Sequence, residues 1–283
     1  MLAEILTWLT TPASAEARRL GYLRAAIGLQ SRAGRCRAAW SSHLTRCHDA
    51  VRASVARCSR RRTAIVLGSG LGLEFPLDEL AKEFERVVLA DIVHLPAIRR
   101  QAARQPNVEL LSIDLTALAR ALLIAVPRDT AAVMRLIAPP RLPPEMIADA
   151  DWVISCNLLS QLPMLPVAWL ERRGRFAAAD LERIGRRLMA CHLEWLGGFP
   201  GVRCLIADAE QTVRDAEGRT LESTDVAAAF DLDRHATASW TWELAPAGEL
   251  ADGLSAVHRV VACDWPADYS AAAVEPSGNS TSV

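Results

Sequence analysis

The sequence predicts an α/β protein with a doubly wound, mostly parallel seven-stranded sheet, a C-terminal antiparallel hairpin and an N-terminal helical segment. From residue 63 onward, short apolar runs alternate with helical segments, and this alternation is typical of right-handed βαβ crossovers. Near the end of the chain, two extended segments are joined by a turn too short to hold a helix, so they should pair antiparallel. The first 62 residues show helical periodicity alone.

The N-terminal segment, residues 1–62, is expected to form three helices, a short one before Pro12, then about 14–30 and about 35–59. It holds 12 arginines against three acids, whereas the rest of the chain holds 20 basic and 30 acidic residues. A nucleic-acid or phospholipid partner would explain this split. No RNA-binding motif or interleaved aromatics accompany the arginines, so we expect a solvated surface docked on the acidic remainder. Such a segment suits a lid, a dimerisation arm or a partner-binding element.

Residues 63–266 are expected to form the Rossmann-like domain, because their apolar runs have the composition of strands buried on both faces. The predicted strands are 64–67, 87–90, 108–113, 152–155, 202–207 and the hairpin strands 240–244 and 257–262. The predicted helices are 77–84, 96–104, 115–126 and 177–196. Residues 127–148 carry five prolines and should be irregular, and 267–283 should be a flexible tail.

A glycine-rich turn directly follows the first buried strand. Gly68, Ser69, Gly70 and Gly72 allow a tight turn and leave backbone N–H groups accessible to a ligand, although a bare structural turn explains such a run equally often. Asp91 ends the second strand, where a carboxylate accepts hydrogen bonds from both hydroxyls of a ribose, the alternative being a cap on the following helix. Together these features favour a nucleotide site.

The order and spacing of these segments resemble the class I S-adenosylmethionine-dependent methyltransferases. The resemblance extends over residues 63–264 and rests on the glycines at 68, 70 and 72, on 87–91, 109–114 and 151–162, and on the hairpin at 239–262. It implies a Rossmann-like fold and S-adenosylmethionine as the cofactor, with Asp91 on the ribose and Asp114 facing the adenine amino group. The cofactor contacts that it implies are Gly68, Ser69, Gly70, Gly72, Asp91, Ile92, Asp114 and Asn157.

The chain departs from this family pattern at Val66. The family has an acid there, two residues before the first glycine, which orients the methionine moiety. Glu74, just past the turn, is placed to compensate, but an acid favoured by a helix N-terminus explains it equally well. Asn157 also lacks the Pro-Pro-aromatic continuation of methyltransferases that act on amide or base nitrogens, which argues against a base-modifying enzyme.

Methyl transfer needs a base only when the acceptor must lose a proton. The candidates at the carboxyl ends of predicted strands are His94, Asn157, Gln161 and Asp208. We expect His192 and His258 to be structural. Trp240, Trp242, Trp40 and His43 are interpreted as packing residues, with the alternative that Trp40 and His43 close over the acceptor.

The sequence therefore supports a methyltransferase acting on a small molecule. The alternative is a methyltransferase-like binding or scaffold protein that has lost turnover, as Val66 would allow. An NAD(P)-dependent oxidoreductase is disfavoured, because Leu73 replaces the third glycine of the dinucleotide fingerprint and no Tyr-x-x-x-Lys pair is present.

Seven cysteines without a regular framework indicate reduced thiols and a cytoplasmic location. Cys36, Cys47 and Cys58 repeat every 11 residues, and a helix rises about 16 Å over that distance, so we expect no shared zinc ion despite nearby histidines.

The amino-terminal residues lack the positive charge of a signal peptide, and no apolar stretch is long enough for a membrane span. The oligomeric state is not predicted.

Overall fold

The computed structural model of the chain describes residues 2–250 and 253–271. Its helices are α1 (Leu2–Thr10), α2 (Ala15–Leu20), α3 (Tyr22–Arg35), α4 (Arg37–Val55), α5 (Leu77–Glu83), α6 (Pro96–Ala102), α7 (Ala119–Ala125), α8 (Thr130–Leu136), α9 (Pro144–Ala148), α10 (Met164–Glu171), α11 (Ala178–Gly197), α12 (Val226–Phe230) and α13 (Leu232–His235). Its strands are β1 (Thr63–Leu67), β2 (Arg86–Asp91), β3 (Val108–Ser112), β4 (Ala150–Cys156), β5 (Val202–Arg214), β6 (Thr220–Asp225), β7 (Ala236–Ala245) and β8 (Ser255–Asp264). None of the described helices is long and apolar enough to cross a membrane.

The strands form one sheet in the order β3-β2-β1-β4-β5-β8-β7. The first five strands of this order are parallel, and β8 pairs antiparallel with both β5 and β7. The direction of the order reverses between β1 and β4, so a crevice opens beyond their carboxyl ends. The doubly wound sheet and the terminal antiparallel pair are therefore confirmed.

The sheet has eight described strands, whereas seven were predicted. β5 continues to Arg214, and its far end pairs with the additional strand β6. All six residues of β6 are exposed, in the polar sequence TLESTD. Because a two-sided polar strand carries no apolar alternation, periodicity alone could not detect it.

Helices cover both faces of the sheet. One face, with Val66, Leu89 and Ile154, packs against α4, α5 and α6 in a single apolar cluster. The other face, with Ile65 and Val153, packs against α9, α11 and α12. Since α4 supplies Trp40, Cys47 and Val51 to the first cluster, the predicted boundary at residue 62 does not mark a gap in the core.

Three short helices, α1 to α3, precede α4. The predicted second helix is divided at Gly21, whose φ of +96° ends α2 in the left-handed region. Side chains of α2 and α3 pack on Leu71, Ile92 and Val93, beside the carboxyl ends of β1 and β2. Several arginines of residues 1–62 pair with acids of the later chain, as in the pairs Arg35–Glu249, Arg52–Glu79, Arg57–Asp264 and Arg62–Asp151.

Residues 115–148 differ from expectation. The predicted helix at 115–126 is confined to α7, because Asp114 and Thr116 form a capping turn before it. The segment predicted to be irregular contains α8, where the Asp129 carboxylate caps the helix by accepting from Ala132 N–H at 2.7 Å. In the predicted tail, Tyr269 packs on Trp265 with ring centroids 4.4 Å apart. Residues 272–283 lie outside the described part of the chain.

Candidate functional site

The glycine-rich turn connects β1 to the segment before α5. Gly68, Gly70 and Gly72 have φ values of +76°, +48° and +71°, a region that side chains avoid. A Cβ atom on Gly72 would lie 2.3 Å from Ile98 Cδ1, so this position also requires glycine for packing. Ser69 is buried, and its hydroxyl has no hydrogen-bond partner in residues 2–250 and 253–271.

Asp91 lies at the carboxyl end of β2, directly beside this turn. Its Oδ2 accepts a hydrogen bond from Gly70 N–H at 2.7 Å, and its Oδ1 accepts from Val93 N–H at 3.4 Å. Desolvation raises the pKa of the Asp91 carboxyl, although these backbone N–H groups and nearby His94 oppose the shift. The turn and the predicted ribose ligand are thus in direct contact.

A cavity of about 610 Å³ lies at the carboxyl ends of β2 and β3. Ile92, Ser112 and Asp114 line it from the sheet, and Pro12 and Glu16 line it from the segment around α2. The N-terminal segment therefore forms one wall of a cavity next to two of the predicted cofactor contacts.

The Asp114 carboxylate is engaged by the backbone at the entrance to α7. Its Oδ1 accepts from Thr116 N–H at 2.9 Å and from the Thr116 hydroxyl at 2.6 Å, and its Oδ2 accepts from Ala119 N–H at 2.7 Å. Asp114 thus has a structural role as a cap while it also faces the cavity.

A second group of polar residues surrounds Asn157, at the carboxyl end of β4. Asn157 Nδ2 donates to Glu74 Oε1 at 2.6 Å, and His43 Nε2 lies 3.3 Å from the same oxygen. Trp240 Nε1 donates to His43 Nδ1 at 3.1 Å, and the His43 ring stacks on Trp242 with centroids 3.9 Å apart. We call His43, Glu74 and Asn157 the edge cluster, since these residues join α4 to the edge of the sheet formed by the carboxyl ends of the parallel strands.

Asp208 lies further along the same edge, on β5. Its Oδ2 accepts from the Ser160 hydroxyl at 2.9 Å and from Gln211 Nε2 at 3.3 Å. His258 Nδ1 is 3.2 Å from Asp208 Oδ1, without the alignment of a hydrogen bond. Asp208, one of the residues predicted as a candidate base, is thus buried beside His258 of the hairpin strand β8, which was expected to be structural.

The position of β8 decides the type of α/β fold. An antiparallel last strand inserted between β5 and β7, on a parallel sheet that reverses direction between β1 and β4, is the arrangement of the class I methyltransferases. The chain has the class I methyltransferase fold.

Solved structures with this fold are similar to the chain over most of its length. They include 1,6-didemethyltoxoflavin-N1-methyltransferase from Burkholderia thailandensis, with 14% identity over 89% of this chain and 92% of that chain and a TM-score of 0.42. A DhpI–SAM–HEP complex has 14% identity over 88% of this chain and 99% of that chain, with a TM-score of 0.34. A SAM-dependent methyltransferase of the DUF858 family from Leishmania major has 12% identity over 92% of this chain and 81% of that chain, with a TM-score of 0.33. No family model and no curated protein sequence matches the chain.

Within the class I fold, the predicted cofactor contacts lie in three places. Gly68, Ser69, Gly70, Gly72 and Asp91 meet at the glycine turn, while Ile92 and Asp114 border the cavity beside it. Asn157 belongs to the edge cluster on the other side of the turn, and Gln161 donates to its backbone oxygen at 2.6 Å.

Two predicted or considered histidines are engaged elsewhere. His94 is fully buried, with Nε2 3.0 Å from Leu89 O and Nδ1 3.4 Å from the Ser112 hydroxyl, and desolvation lowers its pKa. Because both ring nitrogens are occupied, the structure does not support His94 as a base. His192, on α11, is buried against Ser155 of β4.

Sequence reasoning did not foresee that His43 and Glu74 meet. A signal was present, since His43 lies three residues after Trp40 and four before Cys47, on the buried stripe of α4. A histidine on a buried stripe needs polar partners, but the sequence does not specify which distant residue supplies them.

Proposed function

We propose that the protein is an S-adenosylmethionine-dependent methyltransferase that acts on a small-molecule acceptor. The observation that carries this proposal is the contact between Asp91 and Gly70 at the switch point of a class I sheet. It supports a nucleoside site in which Asp91 binds the ribose hydroxyls and the turn supplies backbone N–H groups. The seven free cysteines are compatible with the further proposal of a cytoplasmic location.

The bound cofactor would supply an electrophilic methyl group on a sulfonium. The protein's contribution would be positional: Asp91 and the turn orient the nucleoside, while the edge cluster and Asp208 line the side on which an acceptor would approach. A scaffold protein without turnover is the alternative, and the apolar Val66, fully buried in β1, is the observation that favours it.

The first prediction concerns Asp91. Wild-type protein should bind S-adenosylmethionine and S-adenosylhomocysteine in titration calorimetry and should not bind NADP. Asp91→Ala should weaken both interactions at least about tenfold, because two charge-assisted hydrogen bonds to the ribose are lost. Asp78→Ala, at an exposed acid of α5, is the matched control and should leave binding unchanged.

The outcomes separate the hypotheses. Binding of neither adenosyl compound by the wild-type protein would contradict the proposal and favour the scaffold, and NADP binding would favour an oxidoreductase. Unchanged affinity in Asp91→Ala would show that the nucleoside lies elsewhere. A radiolabelled methyl-transfer assay with a panel of small acceptors then separates an enzyme from a protein that only binds the cofactor.

A further inference from the structure

We propose that Glu74 binds the ammonium group of the cofactor's methionine moiety and so takes over the role of the acid that is missing at position 66. This inference rests on the proposed function, since it assigns a further contact to the same cofactor. It also gives the N-terminal segment a part in the site, because α4 positions Glu74 through His43.

The location of Glu74 is the first argument. Val66 lies inside β1 with no exposed surface, so it cannot reach a ligand. Glu74 follows the glycine turn by two residues and contacts the residue at the carboxyl end of β4. Its carboxylate therefore lies at the switch point, between the turn and Asn157.

A helix-capping role does not explain Glu74. α5 begins at Leu77, its N-cap is Pro76, and its first-turn acids are Asp78 and Glu79. The Glu74 carboxylate instead accepts from Asn157 Nδ2 at 2.6 Å and lies 3.3 Å from His43 Nε2. The positive end of the α5 dipole therefore already has Asp78 and Glu79 beside it, and it does not account for Glu74.

Among the described residues, the Glu74 carboxylate has an amide and an imidazole as its neighbours. His43 Nδ1 accepts from Trp240 Nε1, which leaves Nε2 as the ring nitrogen that can donate to Glu74. Within the described ranges, no arginine or lysine is paired with the Glu74 carboxylate, although 24% of its side chain is exposed. A carboxylate that an amide and an imidazole hold in place, with no arginine or lysine against it in the described ranges, is suited to a cationic ligand.

An independent observation comes from Asn157. The contact of Nδ2 with a carboxylate oxygen fixes the orientation of the amide, because the reverse orientation would place two acceptors 2.6 Å apart. Asn157 Oδ1 then has no hydrogen-bond partner among the described residues, although Asn157 is only 2% exposed. Buried polar atoms are normally paired, so this acceptor indicates a missing donor.

The two acceptors together define the ligand chemistry. In the part of the chain that the structure describes, Asn157 Oδ1 has no donor, and the donor given for Glu74 Oε2 is the weak Cys156 thiol at 3.8 Å. An ammonium group has three N–H donors and no acceptor, so it can satisfy an amide oxygen and a carboxylate at once. Among the parts of the cofactor, only the amino-acid end carries such a group.

The test compares two probes that differ in this end. S-adenosylhomocysteine has the amino-acid moiety, and 5′-methylthioadenosine lacks it but keeps the nucleoside and the sulfur. In titration calorimetry, Glu74→Gln should lower the affinity for S-adenosylhomocysteine about tenfold or more, since a charge-assisted pair becomes a neutral contact. Its affinity for 5′-methylthioadenosine should stay within about twofold of wild type, a change well under the tenfold step.

Glu79→Gln is the matched control. Glu79 also pairs with a residue of α4, through Arg52 at 2.8 Å, but it lies on the outer surface. It should leave both affinities unchanged. If Glu74→Gln fails to fold, Glu74→Asp keeps the charge with a shorter reach, and it should weaken S-adenosylhomocysteine binding alone.

The possible results are distinguishable. An equal loss for both probes would mean that Glu74 only supports the turn, and no loss for either would mean that it does not touch the cofactor; both results overturn the inference and leave the proposed function standing. If the wild-type protein binds neither probe, the proposed function itself fails. Loss confined to S-adenosylhomocysteine supports the assignment of Glu74.

Discussion

At the scale of single residues, His192 shows how burial turns a titratable group into a pH-dependent element of stability. It lies on α11 with Nε2 2.8 Å from the Ser155 hydroxyl, while Nδ1 has no hydrogen-bond partner within the described ranges. Burial lowers the pKa of His192 from 6.5 to about 4. The unfolded chain therefore takes up a proton at a higher pH than the folded protein does.

We predict the sign of the resulting pH dependence. The stability that comes from keeping His192 neutral is fully present above pH 6.5 and is lost as the pH falls toward 4, by about 3 kcal/mol in total. In urea unfolding, the free-energy difference between wild type and His192→Gln should shrink between pH 7.5 and pH 4.5. Other groups titrate equally in both proteins, so a gap that stays constant over this range would contradict the assignment.

At the scale of elements, the glycine turn between β1 and α5 is constrained both by its backbone and by its neighbours. The left-handed φ at Gly72 and the close approach of Ile98 leave no space for a side chain. For Gly28, inside α3, an added Cβ would meet no atom of another described part of the chain within 4 Å. Glycine is therefore required at position 72, whereas at position 28 it only adds to the backbone entropy lost on folding.

The same added methyl group should have opposite effects at these two positions. Gly72→Ala should lower the free energy of unfolding by about 1–3 kcal/mol through a strained φ and overpacking. Gly28→Ala should raise it by about 0.5–1 kcal/mol, because alanine favours the helix. Urea denaturation of both variants measures the effect, and a destabilised Gly28→Ala with an unaffected Gly72→Ala would refute this account.

The elements that the sequence predicted share a physical property. β1, β2 and β4 are buried almost throughout, so their apolar runs identified them, and the glycine turn and Asp91 followed from their places after β1 and β2. β6 was missed because it is exposed on both faces. The edge cluster was missed because His43 and Glu74 are 31 residues apart, and local patterns carry no information on which distant residues meet.

At the scale of the whole molecule, α4 packs the N-terminal segment directly against the sheet. Trp40 is 4% exposed, donates from Nε1 to Leu244 O at 3.0 Å, and meets the Trp242 ring with centroids 5.2 Å apart. Trp152, in β4, donates from Nε1 to the Ser54 hydroxyl of α4 at 2.8 Å. Since these contacts join α4 to central and edge strands alike, we expect cooperative unfolding.

We predict that loss of Trp40 destabilises the entire protein. Trp40→Ala should lower the free energy of unfolding by about 3–5 kcal/mol, and scanning calorimetry should show one transition moved to lower temperature. Trp8→Ala, at a tryptophan of α1 that is 46% exposed, is the control and should change stability by less than about 1 kcal/mol. Two separate transitions, with only the first affected by Trp40→Ala, would indicate an independent N-terminal unit.

The burial of Cys47 makes it possible to measure how often α4 moves away from the sheet. This thiol lies with no exposed surface between the helix and the sheet, and desolvation raises its pKa, so a thiol-modifying reagent can reach it only when the two separate. Cys58 is partly exposed and should react first, which provides an internal reference. The labelling rate of Cys47, followed by mass spectrometry with and without adenosyl compounds, would thus report how often α4 separates from the sheet, without an engineered cysteine.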